Sequence, residues 1–78
     1  MIETLQFIVS SIVDNPEAVE VSEHQEDGLT IYTLTVAPED MGKVIGKEGK
    51  VIRSIRNIMK IKAMKYDLRI KITLADKE

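Results

Sequence analysis

Apolar residues at Ile2, Leu5, Ile8, Val9, Ile12 and Val13 recur at helical spacing, so the pattern predicts a helix from Ile2 to Val13 with one apolar face. Phe7 falls on the opposite side of that stripe. Asp14-Asn15-Pro16 ends the helix, because proline cannot continue it and restricts the residue before it. Val19 and Val21 then lead into a polar run closing on Asp27-Gly28, which reads as a strand and a tight hairpin turn. The next strand is the clearest: Leu29, Ile31, Thr33 and Thr35 face one way, and Tyr32, Leu34 and Val36 the other. Pro38-Glu39-Asp40 opens a short helix that runs to Ile45 and breaks at Gly46. A longer helix covers Lys50 to Lys65, and the strict alternation from Leu68 to Leu74 predicts a strand with one buried face. The order is helix, strand, strand, helix, turn, helix, strand, with no repeat or linker. It implies one α+β domain over residues 1–78, a small sheet covered by helices on one face.

The long helix is apolar over more of its circumference than one sheet requires. Val51, Ile52, Ile55, Ile58, Met59, Ile61 and Ala63 spread over an arc of about 200°, roughly twice what packing on a single sheet needs. The surplus around Val51, Ile58 and Ile61 is expected either to lie under the N-terminal helix or to meet a second subunit. The other face carries Lys50, Arg53, Arg56 and Lys60 as a basic ridge.

Net charge is −2 and the pI about 5.4, which taken as a sum argues against an anionic ligand. Position reverses that reading. Residues 1–42 hold nine acids and no Lys or Arg, whereas residues 43–71 hold ten bases against Glu48 and Asp67, a net of +8. A local basic surface is what attracts phosphate, and a distant acidic face mainly limits promiscuous binding. Cysteine is absent, which excludes disulfides, thiol nucleophiles and Cys-based metal sites. The N-terminus lacks the pattern of a signal peptide and no apolar run approaches membrane-spanning length, so a cytoplasmic protein without membrane contact is expected.

The chemistry concentrates in Val44-Ile45-Gly46-Lys47-Glu48-Gly49-Lys50-Val51-Ile52-Arg53-Ser54-Ile55. Two nearby glycines let another polymer's backbone come close, and the flanking lysines suit an anionic one. A phosphate at Gly46–Gly49 would meet the first backbone N–H groups of the following helix and its positive dipole end. Lys47 and Lys50 would add charge without reading bases.

This stretch resembles the signature of the K-homology (KH) domain, V-I-G-x-x-G-x-x-I-x-x-I, with Lys47 and Glu48 in the variable loop positions. The element order resembles the type II variant, α-β-β-α-α-β, which implies a three-stranded mixed sheet with helices packed on one face. Val36-Ala37-Pro38-Glu39-Asp40-Met41-Gly42-Lys43 is similar to the approach to that loop in small single-KH-domain bacterial RNA-binding proteins.

The resemblance implies single-stranded RNA held in a groove between the two central helices and the strand near residues 29–36, its backbone clamped by the GxxG loop. The RNA-binding residues carried over or read beside the motif are Gly46, Lys47, Glu48 and Gly49 in the loop, with Lys43, Val44 and Ile45 before it. Lys50, Arg53 and Arg56 follow. Ile52 and Ile55 match apolar motif positions and are expected in the core. The resemblance also implies a homodimer or a heterodimer with a larger KH-containing protein, and work as a post-transcriptional regulator or RNA chaperone. Two departures stand out: Glu48 is acidic where a second base would help, and the connection at Lys65-Tyr66-Asp67 is short. Both imply weak binding of low sequence specificity.

Other readings are weaker. A P-loop is excluded, since Gly42 and Gly46 are one residue too close and Glu48 stands where Ser or Thr is required. His24, the only histidine, lies among acids in the hairpin, and a solvated turn accounts for it better than a cation site. Ser10, Ser11, Ser22 and Ser54 have no evident base, so the chain is not read as an enzyme; no cofactor or metal is implied. Low aromatic content (Phe7, Tyr32, Tyr66) argues against RNA readers that stack bases on a sheet. The remaining rival is a non-enzymatic assembly module whose main work is dimerisation.

Overall fold

The computed structural model describes residues 1–75. Helix α1 (Ile2–Ser10) precedes strands β1 (Glu20–Glu26) and β2 (Leu29–Thr35), helices α2 (Met41–Ile45) and α3 (Lys50–Lys65), and strand β3 (Ile70–Leu74). Short 3-10 turns at Pro16–Ala18, Pro38–Asp40 and Lys47–Gly49 join them. The sheet order is β1-β2-β3, with β1 antiparallel and β3 parallel to β2. The expected α+β order and mixed three-stranded sheet are therefore the observed ones.

Alternation in β2 decides where the core lies. Tyr32 and Leu34, with Val36 just beyond, are buried, while Leu29, Ile31, Thr33 and Thr35 are half-buried on the opposite face. Leu5 and Val9 of α1, Ile52, Ile55 and Met59 of α3, and Ile72 of β3 close over that buried side. Each large aliphatic side chain fully buried there stabilises the fold by roughly 1.5–3 kcal/mol. On the other face the Thr33 and Thr73 hydroxyls meet at 3.2 Å across β2 and β3.

The hairpin turn needs positive φ at both central residues, and Asp27 (φ 53°) and Gly28 (φ 79°) supply it. Strand β1 is exposed along its length except for half-buried Val21. Its glutamates at 20, 23 and 26 discourage pairing at this open edge with a strand of like charge.

Several boundaries differ from expectation: Pro38–Asp40 is a 3-10 turn and α2 itself begins at Met41, β2 ends one residue early at Thr35, and two further shifts are larger in consequence. Helix α1 ends at Ser10 rather than Val13: beyond it the backbone tightens to i→i−3 bonds, Ser11 N–H donating to Ile8 O (3.2 Å) and Ile12 N–H to Val9 O (3.0 Å). Val13 still reaches the core through a turn, its N–H donating to Val9 O at 3.2 Å. Strand β3 starts at Ile70, two residues later than the alternation suggests. The end of α3 consumes those residues: Leu68 N–H donates to Ala63 O (2.8 Å) and Asp67 N–H to Met64 O (3.1 Å). This is a Schellman cap with Asp67 left-handed at φ 57°. It reverses the chain in very few residues, which is why the connection into β3 is short.

The surplus apolar arc of α3 splits. Val51 is half-buried against the loop before it, but α1 does not cover the remainder: Ile58 is 50% and Ile61 69% exposed. Phe7 is likewise exposed.

Candidate nucleic-acid interface

Both glycines of the loop between α2 and α3 have positive φ, for different reasons. Gly46 sits at φ 76°, ψ 174°, a region essentially closed to side chains. A Cβ there would run into Val51 Cγ2 and lie 2.7 Å from Val51 Cβ and 2.8 Å from its backbone N. Gly46 is thus required for the loop to seat on α3. Gly49 is left-handed at φ 74°, ψ 16°, and the nearest atom to a Cβ placed there is Arg53 Nη2, 4.0 Å away. Its open side faces away from the protein's own atoms.

Between them, Lys47 and Glu48 form a single 3-10 turn in which Gly49 N–H donates to Gly46 O at 3.1 Å. Glu48 is also left-handed, at φ 58°, ψ 27°. Arg53 Nη2 donates to the Glu48 carbonyl at 3.3 Å and staples the loop to the first turn of α3. Lys47, Glu48 and Lys50 are exposed, and their side chains have no hydrogen bond or ion pair among the described residues.

The opposite end of α2 is closed. Asp40 is wholly buried and its carboxylate accepts from Asp14 N–H (3.2 Å), Asn15 N–H (3.0 Å) and Asn15 Nδ2 (3.0 Å). Burial opposes its charge, but these hydrogen bonds and nearby Lys43 outweigh that and hold its pKa below the usual aspartate value. Lys43 bonds to the Asp14 carboxylate, with Asp40 Oδ1 at 3.9 Å, and its pKa is raised chiefly by the Asp14 hydrogen bond. The sequence places Lys43 with the RNA-binding residues; in the structure its ammonium is engaged within the chain. The Asp40 clamp itself escapes the sequence, where the residue looks like an ordinary acid at a helix start.

The remaining anticipated residues divide. Val44 is fully buried and contributes to the core rather than to a groove wall, whereas Ile45 is 38% exposed. Ile52 and Ile55 are core residues, as expected. Arg53 and Arg56 are exposed, in line with Lys50 and Lys60.

These bases lead from the loop into an open groove of about 720 Å³ between α3 and β3. Arg53, Arg56, Asn57 and Lys60 form its helical wall, and Arg56 Nε donates across it to Ile72 O at 3.2 Å. The strand that lines this groove is β3. Strand β2 is central, flanked on both sides, and its helix-facing residues are buried. Asn57 was not singled out from the sequence; it falls on the same helical face as Arg53 and Lys60, the one signal that could have found it.

Known proteins resemble this chain over nearly its whole length. The family model described as "KhpA/KhpB, KH domain" matches residues 2–74. The RNA-binding protein KhpA of Caldanaerobacter subterraneus subsp. tengcongensis is 47% identical over 68 residues, covering 87% of this chain and 91% of that protein. That of Clostridium acetobutylicum is 43% identical over 74 residues, 95% of this chain and 99% of the relative. The Chlamydia pneumoniae protein of the same name is 37% identical over the full length of both. With the family model matching residues 2–74 and relatives 37–47% identical over nearly the whole chain, the chain belongs to the KhpA/KhpB KH-domain family.

Proposed function

We propose that this protein is a non-enzymatic binder of single-stranded RNA in the cytoplasm, acting as a post-transcriptional regulator or RNA chaperone. The RNA backbone lies against the Gly46–Gly49 loop and its bases turn into the groove between α3 and β3. The observation that carries this is the bare, outward side of Gly49, with Lys47 and Lys50, unpaired among the described residues, beside it at the mouth of a cationic groove. Phosphates need only approach and charge at the loop, whereas bases need the polar groups of the groove. The names of the relatives, RNA-binding protein KhpA, support the same ligand class.

The test is titration of a labelled single-stranded RNA at two salt concentrations. We expect micromolar affinity, about −8 kcal/mol, falling with salt as counterions are released from roughly three or four phosphates. Lys47→Asp with Gly49→Asp should remove binding while circular dichroism stays unchanged, because aspartate tolerates left-handed backbone and the space at Gly49 is open. Retained affinity in that folded double variant would refute the loop as the contact.

A second reading is favoured by the apolar surface of α3. Ile58, Ile61 and Met64 recur every three residues and are exposed by 50%, 69% and 70%. This face suits a second copy of the chain or a larger KH-containing protein. Sedimentation at micromolar concentration should show self-association that Ile61→Asp removes. An assembly module without RNA work would keep its partner, and lose nothing else, in the Lys47→Asp/Gly49→Asp variant.

A further inference from the structure

Glu48 breaks two local rules at once. It holds a left-handed backbone (φ 58°, ψ 27°), which glycine, asparagine or aspartate adopts at lower cost. It is the only acid between Lys43 and Asp67, in the middle of the basic surface. Its side chain is exposed and has no hydrogen bond or ion pair among the described residues, so nothing within them rewards either departure. Sites where sequence and local structure conflict without internal compensation are where an external ligand is expected to supply it.

The geometry narrows what that ligand offers. Arg53 holds the Glu48 carbonyl, so the backbone from which the exposed carboxylate extends is tied to the first turn of α3. The next residue, Gly49, is the point of open approach. A sugar–phosphate chain lying there presents two kinds of group to a carboxylate one residue away. Phosphate repels it in RNA and DNA alike. A ribose 2′-hydroxyl donates a hydrogen bond to it, and deoxyribose has no such donor.

We propose that Glu48 is a specificity-determining residue that selects ribose over deoxyribose. Its charge weakens binding of any nucleic acid backbone, and the 2′-hydroxyl restores the loss only for RNA. Discrimination arises from a penalty placed on the wrong partner as much as from a contact to the right one. The inference rests on the RNA-binding reading above and specifies which sugar the loop accepts.

The experiment uses the full chain and matched single-stranded RNA and DNA of one sequence, with the RNA also carrying single 2′-deoxynucleotides walked through each position. In the unmodified protein one position should cost about tenfold in Kd when made deoxy, the worth of one hydrogen bond to a charged group. In Glu48→Gly, which also relieves the backbone, that penalty should vanish. Glu48→Gln keeps size and acceptor but loses charge, and should shrink the penalty while DNA gains more affinity than RNA. Equal gains for RNA and DNA would reduce Glu48 to a general electrostatic brake and overturn the proposal, with RNA binding intact. A deoxy penalty that persists in Glu48→Gly would overturn it equally. If the unmodified protein bound no RNA, the parent reading would fall first and this one with it.

Discussion

The two ends of α2 are separated by a five-residue helix and are built on opposite plans. At its start, Asp40 is sealed from solvent with three hydrogen bonds from Asp14 and Asn15. At its end, Lys47, Glu48 and Lys50 stand in solvent with no side-chain partner among the described residues. A helix this short has no stability of its own, since nucleation alone is unfavourable. The difference suggests a division of labour: the closed end supplies the tertiary anchorage that lets the open end keep its charged groups unsatisfied. Lys43 marks the border, because its ammonium belongs to the closed end although the sequence groups it with the open one.

The largest expected effect comes from breaking the loop's own seat. Gly46→Ala meets Val51 and demands a backbone conformation closed to alanine, each costing about 1–3 kcal/mol. A combined loss near 3 kcal/mol should lower Tm by ~15 °C in a domain of this size. Gly49→Ala meets only the end of the Arg53 side chain at an unstrained 4.0 Å and should cost about 1 kcal/mol, for its left-handed backbone. Thermal melts of the two variants therefore separate a glycine the fold needs from one it can replace. Equal Tm losses would refute the distinction.

The clamp should show itself in acid. Asp40 has a depressed folded pKa, so its contribution is present above the unfolded value and is lost as pH falls through the folded one. Lys43 is raised, so its contribution is present below the ordinary lysine value and is lost only as pH rises above about 10.5. Urea unfolding of the parent chain and Asp40→Asn should differ most near neutral pH. The gap should shrink below about pH 4, where the parent carboxylate also becomes protonated. A gap independent of pH would mean that Asp40 acts through shape and not charge.

How far these features could be read in advance depended on the span of the interaction. The limits of α3 follow from local signals, a glycine before Lys50 and loss of helical apolar spacing after Lys65, and the structure reproduces them. The alternation of β2 likewise gave its two faces. The Asp40 clamp joins residues 25 and 26 positions apart, and no local pattern announces it. Val44 and Ile45 look alike in the motif, yet only packing sends one inward and leaves the other at the surface. That β3 lines the open groove beside α3 is equally non-local, because parallel pairing puts β3 outside β2 across some forty residues, as in Thr33 opposite Thr73. Alternation reveals that both are strands but not which is central.

Salt dependence sharpens the border at Lys43. Replacing Lys47 or Lys50 by Ala should each reduce the salt slope of RNA binding by about 0.7, the value for one phosphate contact on a single strand. Lys43→Ala should leave that slope unchanged, because its charge is already matched by Asp14. An equal loss of slope at Lys43 would show that RNA draws the lysine away from its carboxylate.

The smallest effect concerns Gly42, inside α2, where a Cβ would meet nothing within 4 Å and the backbone is helical. Alanine at such a position should stabilise the chain by about 0.5–1 kcal/mol, because glycine gives up more backbone freedom on folding. Differential scanning calorimetry should therefore find Gly42→Ala melting ~4 °C higher. Should the proposed RNA contact extend back from the loop along α2, the methyl group one turn before Gly46 would also weaken RNA binding severalfold. A rise in Tm with undiminished affinity would confine the open surface to the loop itself and leave α2 to the protein alone.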